Sequence, residues 1–390
     1  MRKSRRWTAL ALVMALAAAA FGFASPAFAA DAAKVPQVRK TLQMNEGSTV
    51  TATFSYTITP KALSTGNGSE QTYTDGPAAT VEDITLSDAT STANNTGTGA
   101  IKFGGATDAS NFTHAGVYAW TIKENQSVTN GPSNGEFQFD GQTYTLIATV
   151  VPKDGGGFQF GAVVVAKGDV ATTTNDDKVS GDTIPFDQNK YTENTNDQPD
   201  NPNPDNPDNP DNPNHPNTNL VVTKTVTGAQ GDKSKQFAFT VTFTAPSVLP
   251  AGKTAADVLN AINPVVKGGA TITDAGTVAA GATSRTITFT AADAQGVTFA
   301  NLLVGTKYEI SEASVDGYTQ SYAAVANGNN VTTQQGVLVG EKTNTGTMTN
   351  KYQDITPTGL IVNNLPFVLM GAVAVAGMVL YGTAKRKLER

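Results

Sequence analysis

Apolar and polar residues alternate with a period of two along most of the chain, and this pattern limits the fold more than any other feature. Residues 237–243, 286–290 and 144–150 are clear examples, rich in Thr, Val, Phe and Tyr. Such runs, separated by Gly, Asn and Asp, predict half-buried antiparallel strands. The Asp-Gly-Gly-Gly sequence at 154–157 predicts a hairpin turn. One short helix is predicted at 255–262, capped by Thr254.

A tract of Asp, Asn and Pro at 196–218 divides this pattern into two parts. The tract has no large apolar residue, so it cannot form a core, and its prolines favour an extended chain. We therefore predict an all-β protein with two Ig-like antiparallel β-sandwich domains in tandem, at 31–195 and 219–354, joined by a Pro/Asn/Asp-rich linker.

Both ends of the chain read as targeting segments. Residues 1–30 start with a basic stretch, continue with an apolar run and end in a small-x-small pattern, Ala27-Phe28-Ala29. These features predict a secretory signal peptide. At the other end, the mostly apolar stretch 365–384 precedes the basic tail 385–390. The stretch is long enough to predict a C-terminal transmembrane helix with a cytoplasmic tail.

The composition excludes several kinds of chemistry. The chain has no cysteine, and its two histidines, His114 and His215, lie in different regions. Disulfides, thiolate metal sites and cysteine nucleophiles are therefore ruled out, and we expect neither a metal nor a cofactor. The formal net charge is −6, and the body between the two basic ends is more negative still. Nucleic acid and anionic membranes are thus not expected as partners.

Three polar residues break the alternation in the second domain. Lys224 shares a strand face with apolar residues, and Glu312 and Asn350 do the same in two later strands. A lysine, a carboxylate and an amide are thus predicted to point into one apolar core. A buried, unpaired lysine or glutamate costs several kcal/mol, so these groups must be paired, neutral or chemically consumed.

The first domain repeats this arrangement with a less regular third member. Lys40 and Glu124 lie on apolar strand faces. In the last strand, strict alternation turns Gln188 inward, whereas Asn189 needs a bulge or a strand end to reach the same place. The residues alone therefore leave Gln188 and Asn189 both open as the third polar member of this group.

The residues alone leave two interpretations of these trios open. The first is a buried Lys–Glu salt bridge with a hydrogen-bonded Asn. In the second, the apolar site lowers the pKa of the lysine and raises that of the carboxyl group. A neutral amine then attacks the Asn side-chain carbonyl while the protonated Glu polarises it. The products are a Lys–Asn isopeptide bond and ammonia.

These motifs, taken in order, resemble those of a Gram-positive backbone pilin of the streptococcal isopeptide-linkage type. The resemblance implies that Lys224 and Asn350 form one intramolecular isopeptide bond with Glu312 as the catalytic acid. It also implies a second bond between Lys40 and Asn189, with Glu124 as the acid. The segments that carry it are Arg39-Lys40-Thr-Leu, residues 116–124, Val222-Thr-Lys224-Thr-Val-Thr-Gly, residues 305–312 and Met348-Thr-Asn350-Lys-Tyr.

Residues 355–390 are similar to a cell-wall sorting signal, with Ile355-Thr-Pro-Thr-Gly359 before the apolar span. The resemblance implies cleavage by a pilus-type sortase between Thr358 and Gly359. It further implies transfer of Thr358 to a lysine of the next copy of this chain. Lys178, followed by Val179, is the favoured acceptor, and Lys153, in Val-Val-Pro-Lys, is the alternative.

The leading hypothesis is therefore a structural shaft subunit of a pilus, secreted and anchored to cell-wall peptidoglycan after a transient membrane stage. Tip or basal pilins and an unidentified host or surface ligand are further expected partners. The alternative is a wall-anchored adhesin with the same domains that does not polymerise. A secreted glycosidase would need two apposed carboxylates, and none is seen beyond the inward glutamates, so we do not expect an enzyme.

Overall fold

The computed structural model describes residues 32–64, 71–132, 135–172, 178–193, 219–353 and 357–388. The predicted signal peptide at 1–30 and the predicted linker at 196–218, with His215, lie outside the described residues. The described part of the chain is mainly β-strand, arranged in two groups of sheets that we call the first sandwich (37–193) and the second sandwich (220–352).

The first sandwich has two main sheets and a small one. Its four-stranded sheet has the order β5-β1-β11-β8, its five-stranded sheet β10-β9-β7-β2-β4, and β3 pairs with β6. The strands are β1 (Gln37–Met44), β2 (Val50–Pro60), β3 (Ala79–Val81), β4 (Ile84–Ala89), β5 (Thr96–Gly99), β6 (Ile101–Phe103), β7 (Gly116–Thr129), β8 (Gly135–Gln138), β9 (Thr143–Pro152), β10 (Phe158–Lys167) and β11 (Thr183–Glu193).

The second sandwich also has two sheets. Its six-stranded sheet has the order β14-β17-β12-β22-β19-β20, and its five-stranded sheet has the order β15-β16-β13-β18-β21. The elements are β12 (Leu220–Thr227), β13 (Phe237–Thr244), α1 (Ala255–Ala261), β14 (Asn263–Lys267), β15 (Thr271–Asp274), β16 (Ser284–Ala291), β17 (Gly296–Ala300), β18 (Lys307–Glu312), β19 (Tyr318–Ala326), β20 (Asn329–Val331), β21 (Val337–Leu338) and β22 (Asn344–Tyr352).

This architecture confirms the predicted all-β class. The β9–β10 hairpin turns at the predicted glycine run. The predicted helix is α1, and Thr254 forms a capping box with Asp257, which satisfies backbone N–H groups that a helix start leaves open.

One feature differs from the purely antiparallel prediction. The first and last strands of each sandwich pair in parallel, β1 with β11 and β12 with β22. A period of two is common to parallel and antiparallel strands, so alternation alone does not distinguish them. The parallel pairs bring the start and the end of each sandwich side by side.

Each sandwich has its own apolar core. In the first, aromatic rings around Trp120 and Phe103 lie between the sheets, with ring centroids 4.8 Å apart. In the second, Phe239 and Phe289 stack at 4.7 Å. Threonines on the opposite strand faces pair across strands, as Thr242 and Thr286 do at 3.0 Å. Inward aromatics and outward threonines account for the alternation seen in the sequence.

The two sandwiches contact each other through a small polar interface. The Asn45 side chain donates to the backbone oxygen of Val248 and accepts from its backbone nitrogen, both at 2.8 Å. Nearby, the Val304 N–H donates to the backbone oxygen of Glu193 at 2.9 Å. The backbone N–H of Thr49 donates to the Glu341 carboxylate. The end of the first sandwich is thereby held against loops of the second.

After the second sandwich the chain forms a helix, α2 (Pro357–Leu388). Within the ranges that the structure describes, no helix meets the length and apolarity needed to cross a membrane. The membrane span predicted at 365–384 stays a prediction.

Candidate functional site

The second sandwich contains a buried trio of Lys224, Glu312 and Asn350. They come from β12, β18 and β22, and alternation turns all three toward the core. Lys224 and Glu312 face each other from the two sheets. Lys224 and Asn350 lie on the paired parallel strands, where Val226 is the register partner of Asn350. The fold therefore brings together an amine, a carboxyl and an amide distant in sequence.

The carboxyl group of Glu312 contacts both other members of this trio. Lys224 Nζ lies 2.9 Å from Glu312 Oε2. Asn350 Nδ2 donates to Glu312 Oε1 at 2.5 Å, and Gln320 Nε2 donates to the same oxygen at 3.1 Å. The Lys224 ammonium also lies over the Phe237 ring, 4.2 Å from its centroid. Glu312 thus bridges the amine and the amide inside an aromatic-lined site.

The carbonyl oxygen of Asn350 is buried and has no hydrogen-bond partner among the described residues. A buried acceptor without a donor costs about 1–3 kcal/mol. A protonated Glu312 could satisfy this oxygen after rotation of the amide, because its carboxyl would then donate where it now accepts.

The first sandwich contains the corresponding trio of Lys40, Glu124 and Asn189. These residues come from β1, β7 and β11, and all three side chains are buried. Lys40 Nζ forms an ion pair with Glu124 Oε1 and lies 3.7 Å from the centroid of the Phe54 ring.

Asn189 occupies its buried position because of a bulge in β11. The register between β1 and β11 shifts between Lys40 and Leu42, so Asn189 pairs with Leu42 and points into the core, whereas Gln188 is exposed. The prediction from strict alternation that Gln188 points inward is therefore wrong. The bulge accommodates one extra residue in β11, and this extra residue changes which side chain faces the core.

The backbone N–H of Asp140 connects the other two members of the first trio. It donates to Asn189 Oδ1 at 2.8 Å and to Glu124 Oε2 at 3.1 Å. Asn189 Nδ2 donates to the backbone oxygen of Phe186 at 2.8 Å. Both ends of the Asn189 amide are thus held in a fixed orientation.

In the first sandwich, burial moves the pKa values of the amine and the carboxyl group toward each other. Desolvation lowers the pKa of Lys40 to about 8, although Glu124 acts in the opposite direction. Desolvation raises the pKa of Glu124 against the opposing effect of Lys40. The pKa of Lys224 is likewise lowered by burial. Both shifts in the first sandwich favour proton transfer from amine to carboxylate, which yields a neutral nucleophile and a neutral acid.

These sites contain the groups that an amine-to-amide condensation requires. A neutral lysine is the nucleophile, the Asn carbonyl carbon is the electrophile, and the carboxyl group can polarise the carbonyl and carry protons. No cluster of three His, Asp or Glu side chains suited to a metal ion occurs within the described ranges.

The sequence-predicted sorting residues belong to neither trio. Lys153 is exposed in the β9–β10 turn, where its backbone pairs with Gly157 at 3.0 Å. Lys178 is exposed and forms an isolated bridge with Ala166. Thr358 and Gly359 lie in the first turn of α2.

Two residues at these sites are not found by alternation. Gln320 lies on β19, beside Asn350 on β22, and reaches Glu312 on the opposite sheet. Asp140 lies in the turn before β9 and is almost fully buried. The Asp140-Gly141 pair signals a turn, but no sequence pattern places that turn against the trio.

Comparison with known proteins gives two family matches and several similar structures. Residues 36–192 match the Spy0128-like isopeptide containing domain, and residues 218–352 match a domain of unknown function, DUF7601. No curated protein matches the chain.

Three solved structures illustrate the similarity. A major pilin protein (T3.2) from Streptococcus pyogenes is 18% identical, with 83% of this chain and 100% of that chain covered and a TM-score of 0.33. A second major pilin from Streptococcus pyogenes is 21% identical, with 83% and 99% covered and a TM-score of 0.31. A pilus-presented adhesin is 16% identical, with 54% and 36% covered and a TM-score of 0.23.

The fold and the two sites define a tandem β-sandwich protein with a buried Lys–Glu–Asn trio in each sandwich. The first sandwich is similar to the Spy0128-like isopeptide containing domains, whose family model it matches. This match supports the isopeptide-linkage type of domain that the sequence resemblance predicts for the first sandwich.

Proposed function

We propose that this chain is the structural shaft subunit of a sortase-assembled pilus, and that each sandwich closes an internal Lys–Asn isopeptide bond. One observation carries the proposal: two separate apolar cores each bury an amine, a carboxyl and a carboxamide. Replacement of a buried ion pair by apolar residues of similar volume is often neutral or stabilising, so stability alone does not account for two such buried sets. Bond formation removes both charges.

The proposed reaction is a single-turnover condensation. The neutral Nζ of Lys224 attacks the side-chain carbonyl carbon of Asn350, and the C–Nζ bond forms as the C–Nδ2 bond breaks. One proton passes from the amine through Glu312 to Nδ2, which leaves as ammonia. Lys40, Asn189 and Glu124 have the same roles in the first sandwich. Each site changes only itself and is consumed, so the protein is not an enzyme.

The parallel pairing of β12 with β22 gives the bond in the second sandwich a mechanical role. Tension on the second sandwich enters through β12 and leaves through β22, which are neighbours in one sheet. A covalent bond between Lys224 and Asn350 joins these two strands directly, so the strands between them carry little load. This property suits a subunit that transmits force along a fibre.

Polymerisation is the second part of the proposal. A sortase breaks the Thr358–Gly359 peptide bond and holds Thr358 as an acyl-enzyme, which a lysine amine of the next subunit then resolves. The exposure of Lys178 and Lys153 is compatible with such an acceptor, and we favour Lys178. The last subunit passes to cell-wall peptidoglycan.

Co-expression with a pilus-type sortase tests polymerisation. We expect an SDS-resistant ladder that Thr358→Ala abolishes and that either Lys178→Ala or Lys153→Ala removes, with the exposed Lys167→Ala as the matched control. Ladders that persist in both acceptor variants exclude both lysines. A chain that only ever appears as a wall-linked monomer supports the alternative, a non-polymerising wall-anchored adhesin.

A further inference from the structure

Asp140 belongs to neither trio, yet it contacts two members of the first one. Its backbone N–H is 2.8 Å from Asn189 Oδ1 and 3.1 Å from Glu124 Oε2. Lys40 is paired with the other oxygen of Glu124. The N–H of Asp140 therefore points at the oxygen on which negative charge develops when an amine attacks the Asn189 carbonyl carbon.

The side chain of Asp140 explains why this N–H is held in place. Its Oδ1 accepts from the Gln142 backbone N–H at 2.9 Å, which closes the turn between β8 and β9. Its Oδ2 accepts from the Gln188 backbone N–H at 3.0 Å, one residue before Asn189. The carboxylate thus fastens the turn to the bulged segment of β11. The backbone N–H of Asp140 is held in place with it.

We propose that Asp140 is a positioning residue for cross-link formation in the first sandwich, where its carboxylate fixes its backbone N–H as the oxyanion donor to Asn189 Oδ1. This inference rests on the isopeptide reaction proposed above. It adds a group that the Lys–Glu–Asn trio does not contain.

The reaction step follows from this geometry. Lys40 Nζ bonds to the Asn189 side-chain carbon, and the carbonyl π electrons move to Oδ1, where the Asp140 N–H donates to the forming oxyanion. The oxyanion then collapses as the bond to Nδ2 breaks, and Nδ2 leaves as ammonia with a proton delivered through Glu124. A donor already in position needs no reorganisation during this step.

The second sandwich provides an internal comparison. Asn350 Oδ1 accepts no hydrogen bond from the described residues, and Asn350 donates to Glu312 instead. Among the described residues, the second trio therefore has no counterpart of the Asp140 N–H. A change at Asp140 should leave the second bond unaffected.

The test compares Asp140→Asn and Asp140→Ala with the parental full-length chain during cell-free synthesis. Samples are quenched at successive times, ammonia loss is followed by intact mass, and each bond is assigned from its cross-linked tryptic peptides. Asp140→Asn keeps the side-chain shape, and Trp120 fluorescence reports folding of the first core. The exposed Asp154→Asn is the matched control.

We expect the Lys40–Asn189 bond to form about tenfold or more slowly in both Asp140 variants. Complete loss of one oxyanion donor commonly costs a factor of about 100 or more, and these variants misplace the backbone N–H without removing it. The Lys224–Asn350 bond should form at the parental rate. In the parental chain, the negative charge of Asp140 raises the pKa of both Lys40 and Glu124. Asp140→Asn removes this charge, so the pH profile for formation of the first bond should move to lower pH. A loosened fold alone would not produce that shift.

An Asp140→Asn chain that closes the first bond at the parental rate and with the parental pH profile would overturn this inference alone. A parental chain that releases no ammonia from either sandwich would instead overturn the proposed function and this inference with it. The two failures are therefore distinguishable in one experiment.

Discussion

Lys224 and Glu312 form an ion pair, with 2.9 Å between Nζ and Oε2, and neither side chain is exposed to solvent. Two charges in such a place are costly to desolvate, and their attraction often does no more than offset that cost. Asn350 donates to the same carboxylate, and its amide is the group with which the Lys224 amine can react. Conversion of the amine and the amide into an isopeptide bond leaves only a neutral amide and a protonatable carboxyl in the core.

Replacement of Glu312 by Gln should prevent the second bond and leave the first intact. The carboxamide cannot take the proton from Lys224 or return it to the leaving nitrogen, so the variant should lose one ammonia fewer than the parental chain. Glu309→Gln is the matched control, because Glu309 lies on the same strand but faces outward. If Glu312→Gln loses as much ammonia as the control, Glu312 is not the catalytic acid.

Asn350→Ala should lower stability because it prevents the cross-link and leaves Lys224 and Glu312 as a buried ion pair. In the chain-entropy model, a cross-link that closes a loop of roughly a hundred residues stabilises a protein by about 5 kcal/mol, mainly through the unfolded state. Urea unfolding of the second sandwich should show a loss of this order, whereas Asn330→Ala, at an exposed site in β20, should have little effect. Equal stability of the two variants would argue against a bond at Asn350.

Formation of the first bond should depend on pH in a bell-shaped manner. The amine attacks only when neutral, and the pKa of Lys40 is lowered to about 8, so the rate should rise as the pH approaches that value. The pKa of Glu124 is raised by burial, and the rate should fall once this acid is fully ionised. The measurement is the rate of ammonia loss at a series of pH values, and a flat profile would contradict this assignment.

The interface between the sandwiches should weaken as the pH rises. Glu341 accepts from the Thr49 N–H and hydrogen-bonds with Glu193, and burial raises the pKa of Glu341. A carboxyl with a raised folded-state pKa contributes stability below its unfolded pKa and loses it as the pH rises through the folded value. Unfolding free energy measured from mildly acidic to neutral pH should show this loss.

Glu341→Gln should remove most of that pH dependence, because the amide stays neutral and still accepts from the Thr49 N–H. Glu46→Gln is the comparison, since Glu46 is exposed at the rim, 3.7 Å from Lys307. Identical pH profiles of the unfolding free energy for the parental chain and Glu341→Gln would show that ionisation of Glu341 does not weaken the interface.

The sequence predicts much of this fold because alternation has a direct physical cause. Lys40, Glu124, Lys224 and Glu312 are recognisable because a charged residue on an apolar strand face is unusual. Asn189 is harder to find, since a bulge shifts the face of every later residue and no residue type marks it. The position of Asp140 depends on how a turn packs against a distant strand, which local sequence does not encode.

The most direct test of the central claim is the intact mass of the folded protein, with tryptic mapping of the cross-linked peptides. We predict a mass lower than that of the unmodified chain by two ammonia molecules, with one bond joining Lys40 to Asn189 and the other joining Lys224 to Asn350. A folded protein with the full unmodified mass would contradict the claim, and both trios would then be buried ion pairs with a hydrogen-bonded asparagine.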